Sequence, residues 1–159
     1  MVIVREKLAS HAAQSAGRLS LAFERRQRSR QRAMLDSGEE IGMVMPRGEI
    51  LRGGDRVLAS DGRVFEVVSA PERLLHIEAP SLARIAYHLG NRHVPVQVGE
   101  GWLRIVEDHV LARMLDALGA KLTVVDAAFE PEAGAYGAGH HHHDHESTHG
   151  GRIHDFAPE

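Results

Sequence analysis

Hydrophobic and polar residues alternate in short runs through the first part of the chain. The run at 19–23 has this period of two, and short β-rich runs follow at 41–45, 55–59 and 64–68. Turn residues, with a glycine in each turn, separate these runs. Short strands at regular spacing are typical of a small barrel or sandwich, so this part is predicted to be a small all-β domain.

Helical spacing appears only later in the chain. Hydrophobic residues then recur at i, i+3, i+4 and i+7, first at Leu82, Ile85, Ala86 and Leu89. Ser81 is the predicted N-cap of this helix and Gly90 its predicted end. Asp108 is predicted to cap a second helix that Gly119 ends. The inward face of that helix is predicted to consist of Leu111, Met114, Leu115 and Leu118.

Strand patterns surround these two helices. They lie at 74–79, 94–98, 102–106 and 122–125, and a tight turn at 99–101 joins the middle two as a hairpin. The resulting order over residues 74–125 is β-α-β-β-α-β. That order is the signature of a ferredoxin-like domain.

The predicted fold class is therefore α+β, with an all-β domain at 1–73, a ferredoxin-like domain at 74–135 and a histidine-rich tail at 136–159. Residues 69–73 are predicted to form the linker between the two domains. The tail has almost nothing apolar to bury, so it is expected to be disordered without a ligand.

Composition narrows the possible functions. The chain has 159 residues and no cysteine, which excludes disulfides, thiolate metal sites and cysteine nucleophiles. Its net charge of −3 argues against a strongly basic nucleic-acid binder. The charge is unevenly distributed, because residues 1–36 carry +5 and residues 126–159 carry −6. The chain also contains 12 histidines, well above the usual abundance.

The basic charge near the N-terminus is concentrated in alternating arginines, at Arg26, Arg28, Arg30 and Arg32. In a strand, this spacing places all four on one face. Such a ribbon could bind RNA or an acidic protein surface, but no aromatic residue interleaves the arginines to stack bases. A solvated face is the favoured interpretation, and no nucleic-acid partner is expected.

No membrane association is expected either. The longest apolar runs fall far short of the ~20 residues that a helical span needs. The first four residues meet Arg5, Glu6 and Lys7 without the apolar core of a signal peptide. The cytoplasm is therefore the expected location.

The tail carries the most evident candidate chemistry. Its predicted metal ligands are His140, His141, His142, His143, His145 and His149. Neutral imidazole binds zinc, copper and nickel well. A purification tag is the alternative. The run, however, is interrupted by Asp144 and Glu146, and the chain continues for ten residues after His149. A native metal-binding segment is favoured.

Two further histidines are candidate ligands in the second domain. His93 lies between a predicted helix end and a predicted strand start, where a rigid support can project its side chain. In a twofold dimer, two copies of His93 near the axis could share one ion. His109 lies in the first turn of the second helix, where the helix dipole disfavours imidazolium and leaves the ring available.

Three segments resemble the UreE family of urease accessory proteins. They are Tyr-His-Leu-Gly-Asn-Arg-His-Val-Pro at 87–95, Asp-His-Val-Leu at 108–111 and Phe-Glu-Pro-Glu-Ala-Gly-Ala-Tyr at 129–136. The resemblance implies a nickel metallochaperone and not an enzyme. It also implies a homodimer in which two copies of His93 share an ion and His109 is a further ligand. Some relatives have another histidine where this chain has Glu107.

The same resemblance implies partners. They are the GTPase UreG and the urease apoprotein within its accessory complex, and the N-terminal domain is expected to bind partner proteins. Zinc and copper are expected to compete with nickel, since histidine count alone does not choose among them. Two other functions stay open: a small metal-dependent hydrolase that uses His93, His109 and Glu107, and a general metal storage or buffer protein.

Overall fold

The computed structural model describes residues 1–10 and 14–134. The predicted tail at 136–159, with its six candidate histidine ligands, lies outside the described residues. The first domain contains six strands and one short helix: β1 (Val2–Lys7), β2 (Gly17–Leu21), α1 (Phe23–Arg26), β3 (Arg30–Met34), β4 (Glu40–Val44), β5 (Arg56–Ala59) and β6 (Val64–Ser69). The second contains β7 (Pro71–Glu78), α2 (Leu82–Gly90), β8 (Gln97–Gly99), β9 (Trp102–Val106), α3 (His109–Ala117) and β10 (Lys121–Ala128).

The first domain is one mixed sheet that curves around its own core. The strand order is β2-β6-β5-β1-β4-β3, with parallel pairing of β1 to β4 and of β2 to β6. Its two outer strands approach each other, because the backbone N–H of Asp36 donates to the carbonyl of Arg18 at 3.0 Å. Every strand contributes to the buried core, for example through Val4, Leu19, Ala33, Ile41, Val57 and Phe65.

The second domain is a four-stranded antiparallel sheet with two helices packed on one face. The strand order is β10-β7-β9-β8. Leu75 and Ile77 of β7 pack against Ile85 and Leu89 of α2 and Leu115 of α3. The elements follow the predicted β-α-β-β-α-β order, and together the two domains confirm the α+β class.

Both predicted helix caps are confirmed. The Ser81 side chain accepts a hydrogen bond from the backbone N–H of Arg84 at 3.4 Å. Asp108 accepts from the N–H groups of Val110 and Leu111, both at 2.8 Å. Gly119 ends the last turn with φ +81, a value that costs glycine little. Within the described residues, neither of these nine-residue helices nor α1 is long and apolar enough to cross a bilayer.

The expectation of a linker at 69–73 is wrong. Ser69 ends β6 and Pro71 begins β7, so only Ala70 separates the two strands. Pro71 already pairs with Ala128 of β10. Proline is compatible with this position because the first residue of a strand need not donate an N–H to a neighbouring strand. The two domains are therefore joined strand to strand.

The prediction of four arginines on one strand face is also wrong. Arg26 ends α1 and is buried, with 1% of its surface exposed, whereas Arg30 and Arg32 are exposed on β3. Arg28 lies between these elements and pairs with exposed Glu24. Although the arginines alternate in sequence as in a strand, residues 23–26 form a helical turn, and this turn directs Arg26 into the interior.

Arg26 joins the two domains. Its guanidinium donates to the carbonyl of Leu21 at 3.2 Å and to that of Leu51 at 3.0 Å, both in the first domain. It also donates to the carbonyl of Phe129 and to the carboxylate of Glu130, which follow β10. A buried charge is stable only when its donors are satisfied in this way.

A small apolar cluster adjoins this polar junction. Phe23 of α1, Leu74 of β7 and Phe129 are all buried. The rings of Phe23 and Phe129 meet edge to face with centroids 5.6 Å apart, a favourable arrangement for aromatic pairs.

Glu130 is the anionic counterpart of Arg26. Burial raises the pKa of its carboxyl group, but hydrogen bonds from Ser69 and the Gly53 N–H, together with Arg26 and Arg52, outweigh burial and lower it overall. The ionised form is therefore the one that the fold stabilises.

Replacement of Arg26 by alanine should destabilise the protein by roughly 3–5 kcal/mol, because buried carbonyls and Glu130 lose their donor. Urea unfolding measures this change. The matched control is Arg28→Ala, which removes an exposed ion pair and should cost under about 1 kcal/mol. Equal losses in the two variants would contradict the role given to Arg26.

Replacement of Glu130 by glutamine should make stability less dependent on acid pH. Because the folded-state pKa of Glu130 is lowered, its contribution is complete above its ordinary value of 4.5 and is lost as pH falls through the folded pKa. The difference in unfolding free energy between the native chain and Glu130→Gln should therefore be largest near neutral pH and shrink in acid. A difference that stays constant with pH would be inconsistent with this assignment.

Candidate metal site

His93 occupies an unusual backbone position in the turn that follows α2. Its φ is +55, and it is the one non-glycine residue with positive φ among residues 1–10 and 14–134. This left-handed region is sparsely populated by side chains with a Cβ, and such strain persists only where the surroundings enforce it.

Hydrogen bonds to the end of α2 enforce this conformation. The N–H of His93 donates to the carbonyl of Gly90 at 2.9 Å, and the next N–H, of Val94, donates to the carbonyl of Leu89 at 3.3 Å. Leu89 is fully buried, so the turn is attached to the core of the second domain. The imidazole of His93 is exposed on this fixed support.

The neighbouring side chains leave His93 accessible. The Arg92 guanidinium turns back along α2 and donates to the carbonyl of His88 at 3.0 Å. Tyr87 packs edge to face on His88, with ring centroids 5.5 Å apart, and is 66% exposed. An exposed aromatic ring therefore lies on α2, six residues before the candidate ligand.

His109 begins α3 at the rim of a surface groove. The groove has a volume of about 580 Å³ and is lined mainly by apolar side chains, including Ala112, Leu122 and Val124. The side chain of His109 is exposed. The N-cap Asp108 fixes the start of the helix and so fixes the position of His109.

The topology brings both histidines to one end of the sheet. His93 precedes β8 and His109 follows β9, and these two strands are antiparallel neighbours. The start of β8 and the end of β9 therefore lie side by side. Within the described ranges, however, no three His, Asp or Glu side chains converge into a group that could hold a metal ion.

Glu107 is engaged elsewhere. Its carboxylate pairs with the guanidinium of Arg73 on β7, and its N–H donates to the carbonyl of Arg73 at 3.0 Å. A role as metal ligand or general base would require this ion pair to open.

His76 lies on the opposite face of the sheet from the helices and outside this site. Its Nδ1 accepts a hydrogen bond from Nε of Arg104 at 3.2 Å, and its ring lies 5.2 Å from that of Trp102. The sequence does contain an indication of this placement, because His76 alternates with the core residues Leu75 and Ile77.

A small two-domain α+β protein with exposed imidazoles at one end of its second sheet is the class that this fold and site define. The family model described as the UreE urease accessory protein N-terminal domain matches residues 3–70, and the one described as the C-terminal domain matches residues 72–156. The chain belongs to the UreE urease accessory protein family.

Similar proteins cover nearly the whole chain. The urease accessory protein UreE of Ectopseudomonas mendocina (strain ymp) is 45% identical over 163 residues, covering 98% of each chain. That of Azotobacter vinelandii is 46% identical over 96% of this chain and 91% of its own length. Urease accessory protein UreE 2 of Pseudomonas syringae pv. syringae is 47% identical over 89% of this chain and 87% of its own.

Proposed function

We propose that this protein binds nickel and donates it during assembly of the urease metallocentre, as a metallochaperone and not as an enzyme. The observation that carries the proposal is His93, an exposed imidazole on a backbone held at the end of α2. Membership of the UreE family supports the role in urease maturation and the choice of nickel. Imidazole chemistry alone would accept zinc or copper as well.

A homodimer completes the proposed site. One copy offers two exposed imidazoles, His93 and His109, at one end of its second sheet, without a third described ligand close by. In a twofold dimer the same surface of each copy meets its mate, so two His93 side chains can share one ion. His109 is proposed as a further ligand, which the groove beside it leaves accessible.

The domain that carries this site is proposed to be ferredoxin-like. Its strand order, β10-β7-β9-β8, with both helices on one face, supports that assignment. In this arrangement the connections before β8 and after β9 lie at the same end. Because His93 and His109 flank these two connections, this geometry supports the proposal that both act at one site.

The histidine-rich tail is proposed to collect additional nickel. Its six candidate ligands are close in sequence, which favours capacity and rapid exchange over selectivity. The proposed recipients are the GTPase UreG and the urease apoprotein with its accessory complex, in the cytoplasm. Since the acceptor is a protein, the chemistry required is ligand exchange at an accessible ion.

Two alternatives are less well supported. A metal-dependent hydrolase needs a general base and an open metal position in one cleft, but Glu107 is paired with Arg73. A metal storage protein needs only the tail. The next two experiments separate storage from donation, because only donation requires a tight site in the folded domains.

Replacement of His93 by asparagine should weaken the tight nickel site by on the order of 100-fold or more and leave tail capacity intact. Asparagine tolerates the left-handed backbone, so the variant removes the imidazole and keeps the turn. Calorimetric titration with nickel measures both classes of site. The matched control is His88→Asn, which should bind as the native chain does.

An unchanged tight site in His93→Asn would exclude this residue as a ligand. Binding in the native chain should also weaken in acid, because protonated imidazole does not bind a metal ion.

A chain that ends at Gly139 should stay dimeric and keep one tight nickel ion per dimer, while losing the additional weaker sites. Sedimentation and calorimetry measure the two properties. Loss of all nickel binding on truncation would instead favour the tail, and hence storage, as the protein's role.

A further inference from the structure

The chain crosses the end of the second sheet directly after β10. β10 and β8 are the opposite edge strands of this sheet. Phe129 is buried beneath the crossing, and the N–H of Glu130 donates to the side-chain oxygen of Gln97 at 3.3 Å. The N–H of Glu132 then donates to the carbonyl of Val96 at 2.8 Å. By residue 132 the chain is therefore attached next to β8.

The carboxylate of Glu130 holds this crossing against the first domain. Its Oε1 accepts from the N–H of Gly53 at 2.9 Å and from Arg26 at 3.0 Å, and also from the hydroxyl of Ser69. Its Oε2 accepts from Arg52 at 3.2 Å.

The neighbouring residues fit closely around this carboxylate. Arg52 also donates to the carbonyl of Pro131 at 2.7 Å, which extends the attachment by one residue. A Cβ on Gly53 would lie 2.9 Å from the hydroxyl oxygen of Ser69 and 3.1 Å from the same carboxylate oxygen, so this close approach favours glycine. The crossing is thus held by charge-assisted hydrogen bonds, which are stronger than neutral ones.

This attachment places the start of the tail close to the candidate metal site. Val96 is three residues from His93, so their Cα atoms are at most about 11 Å apart. His140 is eight residues after Glu132, and eight residues span at most about 29 Å. The first tail imidazoles are therefore within reach of His93 from this point.

We propose that Glu130 is a positioning residue for the metal site: it anchors the tail beside β8 so that tail imidazoles exchange nickel with His93. The proposal rests on the proposed nickel function. Without this anchor the tail would start at the edge of β10, three strand spacings or about 14 Å from β8, on a longer tether. By the general dependence of effective concentration on tether length and span, these two changes lower the effective concentration at His93 on the order of fivefold.

The test is a double-mutant cycle in the full chain. One change is Glu130→Ala, and the other replaces all six tail histidines from 140 to 149 by asparagine. Stopped-flow mixing with nickel held by a chromophoric chelator measures the rate at which the tight site fills. We expect Glu130→Ala to slow filling on the order of fivefold with the native tail and to leave the rate unchanged with the asparagine tail.

A purely structural role for Glu130 would give another pattern. Damage to the His93 site would change the rate equally with either tail, and that result would overturn the proposal. An unchanged rate with both tails would overturn it too. The matched control is Glu100→Ala, which removes an exposed carboxylate in the β8–β9 turn and should have no effect with either tail.

A second variant keeps the test valid if Glu130→Ala unfolds. Glu132→Pro removes the N–H that bonds to Val96 and leaves Arg26 and Glu130 in place. It should produce the same tail-dependent slowing, and a native rate would count against the proposal. Absence of any tight site dependent on His93 would be a distinct result: it would refute the nickel function and this inference together.

Discussion

The two domains depend on one buried cation. If the guanidinium of Arg26 were removed, carbonyls of both domains, those of Leu51 and Phe129, would stay buried without this hydrogen-bond donor. The same hydrogen bonds hold α1 against the segment after β10. The strand-to-strand junction at Ala70 allows little independent movement of the domains. The ion pair between Arg26 and Glu130 restricts that movement further. The candidate metal site is thus built on a scaffold whose two halves behave as one support.

In the proposed function, His93 and the anchored segment after β10 would meet a single physical requirement. A metal carrier needs ligands that hold an ion without enclosing it, because an enclosed ion exchanges slowly. One chain supplies exposed imidazoles and no complete cage among its described residues. The left-handed turn keeps the imidazole of His93 at the surface, and attachment to buried Leu89 keeps it in place. Accessibility and rigidity, which usually oppose each other, are combined by fixing the backbone and leaving the side chain exposed.

Local patterns predicted much of this fold, and contacts between distant residues explain what they missed. Ser81 and Asp108 could be identified as caps because capping involves residues two or three positions away. Arg26 was misplaced since its partners at 129 and 130 lie more than a hundred residues along the chain. The position of His93 between α2 and β8 was predictable, but its left-handed backbone was not. Glu130 lies in a segment that resembles the UreE family, but nothing local indicated its contacts with Arg26, Arg52 and Gly53, which form only in the packed domains.

The place of β1 in the first sheet has a consequence for protein synthesis. This strand lies between β4 and β5, so residues 2–7 must wait for residues 40–59 before they gain a neighbour on either side. β2 waits longer still, for β6. Domains generally fold as units while the chain emerges from the ribosome. The nascent first domain therefore stays open, with β2 unpaired, until β6 has left the exit tunnel.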